Sequence, residues 1–318
     1  MHKHVVLVTG GSGFVGSALI DQLVERPNVG EVRNLLRREP SSASPARCFV
    51  VPDFDLHSDF SACLEGVDIV IHCAGRVPDG DMKQYEALQA YRLANVELTS
   101  AIARQANLLG VRRFVFLSST KVNGNLTVEG KPFREEDVSA ASDVYAQSKL
   151  EAEDSLREIV KAGRMEACIV RAPLIYGPGA KANFESLVKL IRTGLPIPFG
   201  AAKSRRSFIA INNLVDFLIT CATHLNAANQ TLLVSDDEDV STAELCDAIS
   251  RAVGRRQSTL AIPLPLMRML LALAGKGQMA SSLFDPMQID ISKARRMLGW
   301  EPVSSMAQQL SEMVDSDQ

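Results

Sequence analysis

The stretch Thr9–Gly16, Thr-Gly-Gly-Ser-Gly-Phe-Val-Gly, constrains this chain more than any other. It follows the apolar, β-branched run His4–Val8 and opens the helical pattern Ser17–Glu25, so Gly11-x-Gly13-x-x-Gly16 falls in a strand-to-helix turn. Glycine serves three ends there: a tight turn, a bare backbone that a ligand can approach, and close packing of helix on strand. The turn also aims the unpaired N–H groups of a helix N-terminus outward, which suits a pyrophosphate. Glycine-rich turns occur without ligands, but a second strand at Val32–Leu36 arrives where a dinucleotide-binding βαβ unit needs it. Gly10, Gly13, Phe14, Val15 and Gly16 are therefore the expected cofactor contacts of this turn.

Up to about residue 172 short apolar strands alternate with longer helices, which predicts an α/β fold with a doubly wound parallel sheet. Strands are expected at His4–Val8, Glu31–Leu36, Cys48–Val51, Ile69–Cys73, Phe114–Ser118 and Ala167–Arg171, with helices at Ser17–Glu25, Phe60–Leu64, Tyr85–Leu109 and Val144–Lys161. The strand ends carry Thr9-Gly10, Arg37-Arg38, Asp53–Asp55, Ala74-Gly75 and Ser118–Thr120, five loops that converge on one crevice. After Ala172-Pro173 and Tyr176-Gly-Pro-Gly179 the regularity lapses. Residues 1–172 form the expected dinucleotide-binding domain, and residues 173–318 a smaller mixed domain that selects the substrate. Segments near 208–221 and 231–235 look able to return to the main sheet.

Composition removes several classes of function. A net charge of -3, scattered basic residues and 5% aromatics offer no nucleic-acid surface. Met1-His-Lys-His leads straight into a strand, leaving no room for a signal peptide, and the apolar run Leu264–Gly275 is interrupted by Arg268 and too short to span a bilayer. The six cysteines lack Cys-x-x-Cys spacing and read as reduced thiols, so a cytoplasmic location is expected. No ligand cluster joins His2 and His4, so no metal is expected.

The second strand ends in Leu36-Arg37-Arg38, with no acid to hold an adenosine ribose. Two guanidiniums suit the 2′-phosphate of NADP, which is favoured over NAD, although a solvated basic loop would look the same. Asp55-Leu56 is expected either to meet the adenine or simply to close a turn near Ser58. Tyr145 and Lys149, spaced i,i+4, share one helix face. A phenol titrates near pH ~10, and a fixed ammonium beside it favours the phenolate, which is what acid/base work at a carbonyl requires. The hydroxyl-rich strand end Ser118-Ser119-Thr120 lies upstream.

Together these motifs resemble the extended short-chain dehydrogenases/reductases, in the group of nucleotide-sugar epimerases, dehydratases and ketoreductases. The resemblance covers nearly the whole chain: Thr9-Gly10-x-x-Gly13-x-x-Gly16, Asp68–Gly75, Asn95, Ser118-Ser119, Tyr145-x-x-x-Lys149, Arg171-x-Pro173-x-x-Tyr176-Gly-Pro, Arg206-Ser-Phe208-Ile and Asp290–Trp300. It implies a Rossmann fold, Ser119 as the hydroxyl that holds the substrate oxygen with Thr120 as the lesser candidate, Tyr145 as acid/base, and Lys149 on the nicotinamide ribose, lowering the Tyr145 pKa. Ala74, Gly75 and Pro173 line the cofactor. Lys121, Asn183, Pro198, Phe199 and Arg206 fall on the substrate side, Asn183 and Arg206 at a diphosphate and Pro198-Phe199 against a base. Two departures stand out: Asn123 where the family usually has tyrosine, and no Arg-x-x-Asp before Asp290.

The narrower likeness is to 4-ketoreductases that form UDP-N-acetylquinovosamine for surface polysaccharide, within a UDP-glucose 4-epimerase-like branch. The expectation is an NADPH-dependent reductase of a UDP-linked 4-keto-6-deoxy-N-acetylhexosamine. The alternatives are a UDP-glucose or UDP-N-acetylglucosamine 4-epimerase that retains NAD, and a cofactor-sensing regulator without turnover. A homodimer built on the long helices is also expected.

Overall fold

The computed structural model describes residues 3–40, 43–52, 54–78, 84–180, 183–255, 259–273 and 277–315. Asp53 lies outside them, and of Asn183 only the backbone is described. The strands are β1 (His4–Thr9), β2 (Val29–Leu36), β3 (Arg47–Val50), β4 (Ile69–His72), β5 (Arg113–Ser119), β6 (Glu166–Ala172), β7 (Leu174–Tyr176), β8 (Arg205–Arg206), β9 (Phe208–Ala210), β10 (Gln230–Leu233) and β11 (Val240–Ser241). Seven of these form one parallel sheet in the order β10-β6-β5-β4-β1-β2-β3. The chain runs outward from β1 to β3 and then crosses back to β4, so the order reverses between β1 and β4. That switch point opens a crevice at the carboxyl ends of the strands.

The first eight α-helices are α1 (Phe14–Val24), α2 (Ser61–Leu64), α3 (Gln84–Tyr91), α4 (Leu98–Leu108), α5 (Val144–Lys161), α6 (Asn183–Arg192), α7 (Ile211–Thr223) and α8 (Thr242–Ala252), of which α1, α2, α4, α5 and α7 pack on the sheet. Both sheet faces are buried, and period-two alternation sorts the side chains between them. Val6 and Val8 of β1, Ile69 and Ile71 of β4, and Cys168 and Val170 of β6 pack with α1 and α7. Leu7, Val70, Phe114, Phe116 and Ile169 point the other way, onto α2, α4 and α5. The strands are therefore near-continuous apolar runs, as a covered parallel sheet demands.

The segment Phe208–Cys221 divides into strand β9, paired with β7, and helix α7, which packs on the sheet; β10 adds to the sheet beside β6. A separate cluster packs Tyr176, Phe184 and Ile191 around α6 against Leu245 and Ile249 from α8.

One expected helix is not continuous. Between α3 and α4, Arg92–Glu97 forms a π-helical turn. The sequence pattern is read as one helix over Tyr85–Leu109, and this turn falls within it.

Candidate active site

The turn from β1 into α1 is made of backbone. Gly10 has φ +76°, and a Cβ on it would lie 2.7 Å from the Ala74 amide nitrogen. A Cβ on Gly16 would lie 2.2 Å from the Gly10 carbonyl oxygen, so any side chain would force β1 and α1 apart. Helix α1 starts at Gly13 with no side-chain cap, which leaves its terminal N–H groups to a ligand. Phe14 and Val15 are half-buried on its first turn. Beneath the turn, the buried Asn34 Oδ1 has no hydrogen-bond partner. A bare, positive cradle of this kind fits a dinucleotide pyrophosphate. At the end of β2, Arg37 and Arg38 are exposed. Asp55 spends its carboxylate on the turn, accepting from the His57 amide at 2.7 Å and the Ser58 hydroxyl at 3.2 Å; Leu56 beside it is exposed.

Tyr145 and Lys149 lie on α5, which Asp143 caps by accepting from the Ala146 amide at 2.8 Å. The Ser119 hydroxyl, at the end of β5, hydrogen-bonds the Tyr145 phenol. Thr120 is turned away: it is buried, and its hydroxyl points at the Met287 sulfur 3.5 Å off. Of the two hydroxyls, only Ser119 faces the phenol. Tyr91 of α3 sets its ring against Tyr145 at 5.9 Å, edge to face.

The electrostatics differ from the expectation that Lys149 lowers the Tyr145 pKa. Burial, with Asp143 and Tyr91 adding to it, pushes the phenol up to about 12 against the opposing Ser119 hydrogen bond. Lys149 is directed elsewhere: its Nζ donates to the Leu117 carbonyl at 3.0 Å and sits 4.7 Å over the Phe116 ring. Its own pKa is lowered to about 8 by burial, offset in part by Cys73 and Glu153. In the protein alone Tyr145 is thus a proton-bearing phenol, and Lys149 is an ammonium that gives up its proton at about pH 8. Gly75 explains how the ammonium fits, because a Cβ there would lie 2.9 Å from Asn95 Oδ1 and 3.2 Å from Lys149 Nζ. Ala74 and Pro173 line the adjoining strand ends, with Pro173 buried.

Sequence reasoning assigned no role to His72, which the structure makes central to the crevice wall. Thr99 Oγ1 donates to the Asn95 carbonyl at 2.6 Å, so it must accept from His72 Nε2 at 2.9 Å. Burial and the Lys149 charge lower the His72 pKa to about 3, so the ring is neutral. Its Nδ1 therefore accepts from Thr9 Oγ1 at 2.8 Å, and Thr9 in turn accepts from the Ala74 amide at 3.2 Å. One directed chain of hydrogen bonds ties the strand leading into the glycine turn to the π-turn. Asn95 continues it: Oδ1 accepts from the Arg76 amide at 2.7 Å, and Nδ2 donates to Ser148 on α5 at 2.9 Å. The signal for this chain was an apolar strand that ends in histidine, but its partners lie far away in sequence.

Of the residues expected on the substrate side, Lys121 pairs with Asp143 at 2.9 Å and hovers 5.9 Å from the Tyr145 ring centroid. Arg206 is buried, donates through Nη1 to the Ser281 and Asp285 carbonyls, and has its Nε unpartnered. Phe199 is half-buried beside Pro198 and meets the Phe284 ring edge-on at 6.0 Å. Asn123 does not face the site; its amide is taken up by Arg171 and the Arg134 carbonyl. Among the described residues no group of His, Cys, Asp or Glu could hold a metal, and no helix is long and apolar enough to cross a membrane.

Residues 6–234 match the family model described as NAD dependent epimerase/dehydratase family. A Vibrio cholerae protein named UDP-glucose 4-epimerase is 39% identical over 95% of this chain and 92% of its own length. A Mycolicibacterium neoaurum 3-beta-hydroxysteroid dehydrogenase is 27% identical over 96% of this chain and 89% of its own. Among solved structures, the UDP-glucuronic acid 4-epimerase of Bacillus cereus in complex with NAD superposes with a TM-score of 0.78 at 19% identity, over 98% of both chains. The UDP-N-acetylglucosamine 4-epimerase of the same organism gives 0.77 at 16% identity over 98% of this chain and 96% of that one. At such low identity the two structures speak for the fold alone. With its glycine turn and its match over more than half its length, the chain belongs to the NAD-dependent epimerase/dehydratase family.

Proposed function

We propose that this enzyme inverts the configuration at C4 of a UDP-linked hexose through a transient C4 ketone, working as a 4-epimerase. The observation that carries the reading is the meeting of Ser119 and Tyr145 on the β5-to-α5 side of the crevice, in a chain 39% identical to a UDP-glucose 4-epimerase. Gly10, Gly13 and Gly16 would hold the dinucleotide phosphates, Phe14, Val15, Ala74, Gly75 and Pro173 would line its path, and Asp55 and Leu56 would flank the adenine. A bound nicotinamide supplies a reversible hydride acceptor at that carbon. Ser119 positions the substrate oxygen, and Tyr145 moves the proton on and off it. The phenol holds its proton in the protein alone, so it is ready to donate to a ketone oxygen. Lys149 keeps a positive charge near the developing oxyanion. Arg206 and Asn183 would grip the diphosphate, with Pro198 and Phe199 against the base and Lys121 beside the sugar. The unpartnered Arg206 Nε supports that placement.

A second reading is NADPH-dependent reduction of a UDP-4-keto-6-deoxy-N-acetylhexosamine, favoured by the exposed Arg37-Arg38 pair where an acid would otherwise select NAD. An epimerase returns the hydride and keeps its cofactor, whereas a reductase consumes one per turnover. The deciding experiment denatures the purified protein, identifies any dinucleotide released, and assays UDP-glucose/UDP-galactose interconversion beside NADPH oxidation with the 4-keto-6-deoxy sugar. Released NAD with interconversion supports epimerisation. NADPH oxidation without interconversion replaces it with reduction, and neither activity from a protein that binds dinucleotide points to a sensor. The dimer remains part of the proposal and is tested by light scattering.

A further inference from the structure

The sequence singles out Tyr145 and Lys149, but the same helix face carries a third group one turn on, Glu153, which is completely buried. Its carboxylate accepts four hydrogen bonds. Ser118 Oγ donates to Oε1 at 2.6 Å and Arg171 Nε to the same atom at 3.0 Å; Arg171 Nη2 reaches Oε2 at 2.7 Å and Arg157 Nη2 at 2.9 Å. Arg171 is itself buried and donates through Nη1 to Asn123 Oδ1 at 3.0 Å. The departure at Asn123 thereby acquires a function: it completes the guanidinium's partners at the end of β6.

The contacts between β5 and α5 then form a register. Three consecutive strand residues each meet one of three successive turns of the helix: the Leu117 carbonyl meets Lys149, the Ser118 hydroxyl meets Glu153, and the Ser119 hydroxyl meets Tyr145. A slip of either element would break all three at once. Of these rungs only the Glu153 one is locked by a buried, bidentate ion pair from a third element, β6.

We propose that Glu153, clamped by Arg171 and Asn123, is a positioning residue that sets Ser119 against Tyr145 and provides the countercharge for Lys149. The inference rests on the reading of Ser119, Tyr145 and Lys149 given above. Among the described residues, the titratable and charged groups that act on Lys149 are the neutral His72 at the end of β4, Cys73 just after it, and Glu153 from α5 itself; β5 offers the Leu117 carbonyl and the π-turn the Asn95 amide. Glu153 is the anion among them, so its removal disfavours the protonated lysine.

The test compares Ser118→Ala, Glu153→Gln and Tyr145→Phe with the wild type, in the UDP-glucose/UDP-galactose or NADPH assay that shows turnover, with thermal melts to confirm folding. Ser118→Ala is expected to lower kcat by about ten- to a hundredfold with KM unchanged, because it loosens the reacting geometry and touches no substrate. Glu153→Gln is expected to lower kcat and to move the alkaline limb of its pH profile down by about one unit. A merely structural residue would move neither the kcat-against-KM split nor the limb. Wild-type kcat in Ser118→Ala overturns the inference, whether or not Glu153→Gln folds, and so does a folded Glu153→Gln with an unmoved limb. Should those two variants match the wild type while Tyr145→Phe is inactive, this inference alone falls; full turnover in Tyr145→Phe removes the site reading and the inference with it.

Discussion

The two halves of the crevice are made of different material. The wall from β1 into α1 is backbone: glycines, helix N–H groups and a strand end whose side chains touch each other more than the ligand space. The wall from β5 to α5 is side chain: a phenol, an ammonium, a serine and, behind them, a buried ion pair. The first binds by shape and by dipoles that cannot titrate, so it tolerates changes of pH but no added atom. The second works by charge, so it tolerates small changes of volume but not the loss of one partner. A buried pair broken on one side costs about 3–5 kcal/mol, while its net contribution when whole is small. Such a network is better understood as a device for register than as a source of stability.

The largest effect should come from the side-chain wall. Tyr145→Phe removes the proton donor while the ring keeps its contact with Tyr91, and turnover should fall by about 10²- to 10⁴-fold, measured by product formation at saturating substrate. Gly16→Val tests the backbone wall. With a Cβ held 2.2 Å from the Gly10 oxygen, the variant should lose dinucleotide binding in titration calorimetry and about 1–3 kcal/mol of stability in denaturant melts. An intermediate effect is expected where the first wall does use side chains. Replacing Arg37 and Arg38 by Ala should weaken NADPH by about tenfold relative to NADH, read from fluorescence titrations; equal weakening would remove the case for the 2′-phosphate.

The smallest effect is a pH limb. Lys149 has its pKa lowered to about 8, so it is charged below that value and neutral above it. Activity should hold level up to about pH 8 and decline as pH rises further, whereas dinucleotide binding by the glycine turn should not follow the same curve. In Lys149→Met the residual activity should lack the limb. A coincident limb in binding would mean that the two walls are not separable, and the hydrogen-bonded chain through Thr9, His72 and Asn95 would be the route between them.

Much of this was legible before any coordinates. Strand and helix order followed from apolar runs and glycine placement, because a sheet covered on both faces writes itself as β-branched segments. The Tyr145 and Lys149 pair followed from helical periodicity, which is local. The π-turn at Arg92–Glu97 was not read from the sequence, where Tyr85–Leu109 is expected as one helix. The preference for Ser119 over Thr120 came from the family resemblance, whereas the contact that turns Thr120 away, with Met287, is remote in sequence. The expected lowering of the Tyr145 pKa failed for the same reason. Spacing places Lys149 one turn from the phenol, but the carbonyl of Leu117 on another element decides where the ammonium points.

The sequence by itself determined what the backbone does: the glycine turn, the parallel doubly wound sheet and the helix face shared by Tyr145 and Lys149, all set by steric and periodic rules acting over a few residues. Only the tertiary structure decided how the side chains are paired and charged: the neutral tautomer of His72, the carboxylate of Glu153 under Lys149, the amide of Asn123 on Arg171. Desolvation and directed hydrogen bonds depend on which distant groups share a buried space, and no local pattern encodes that.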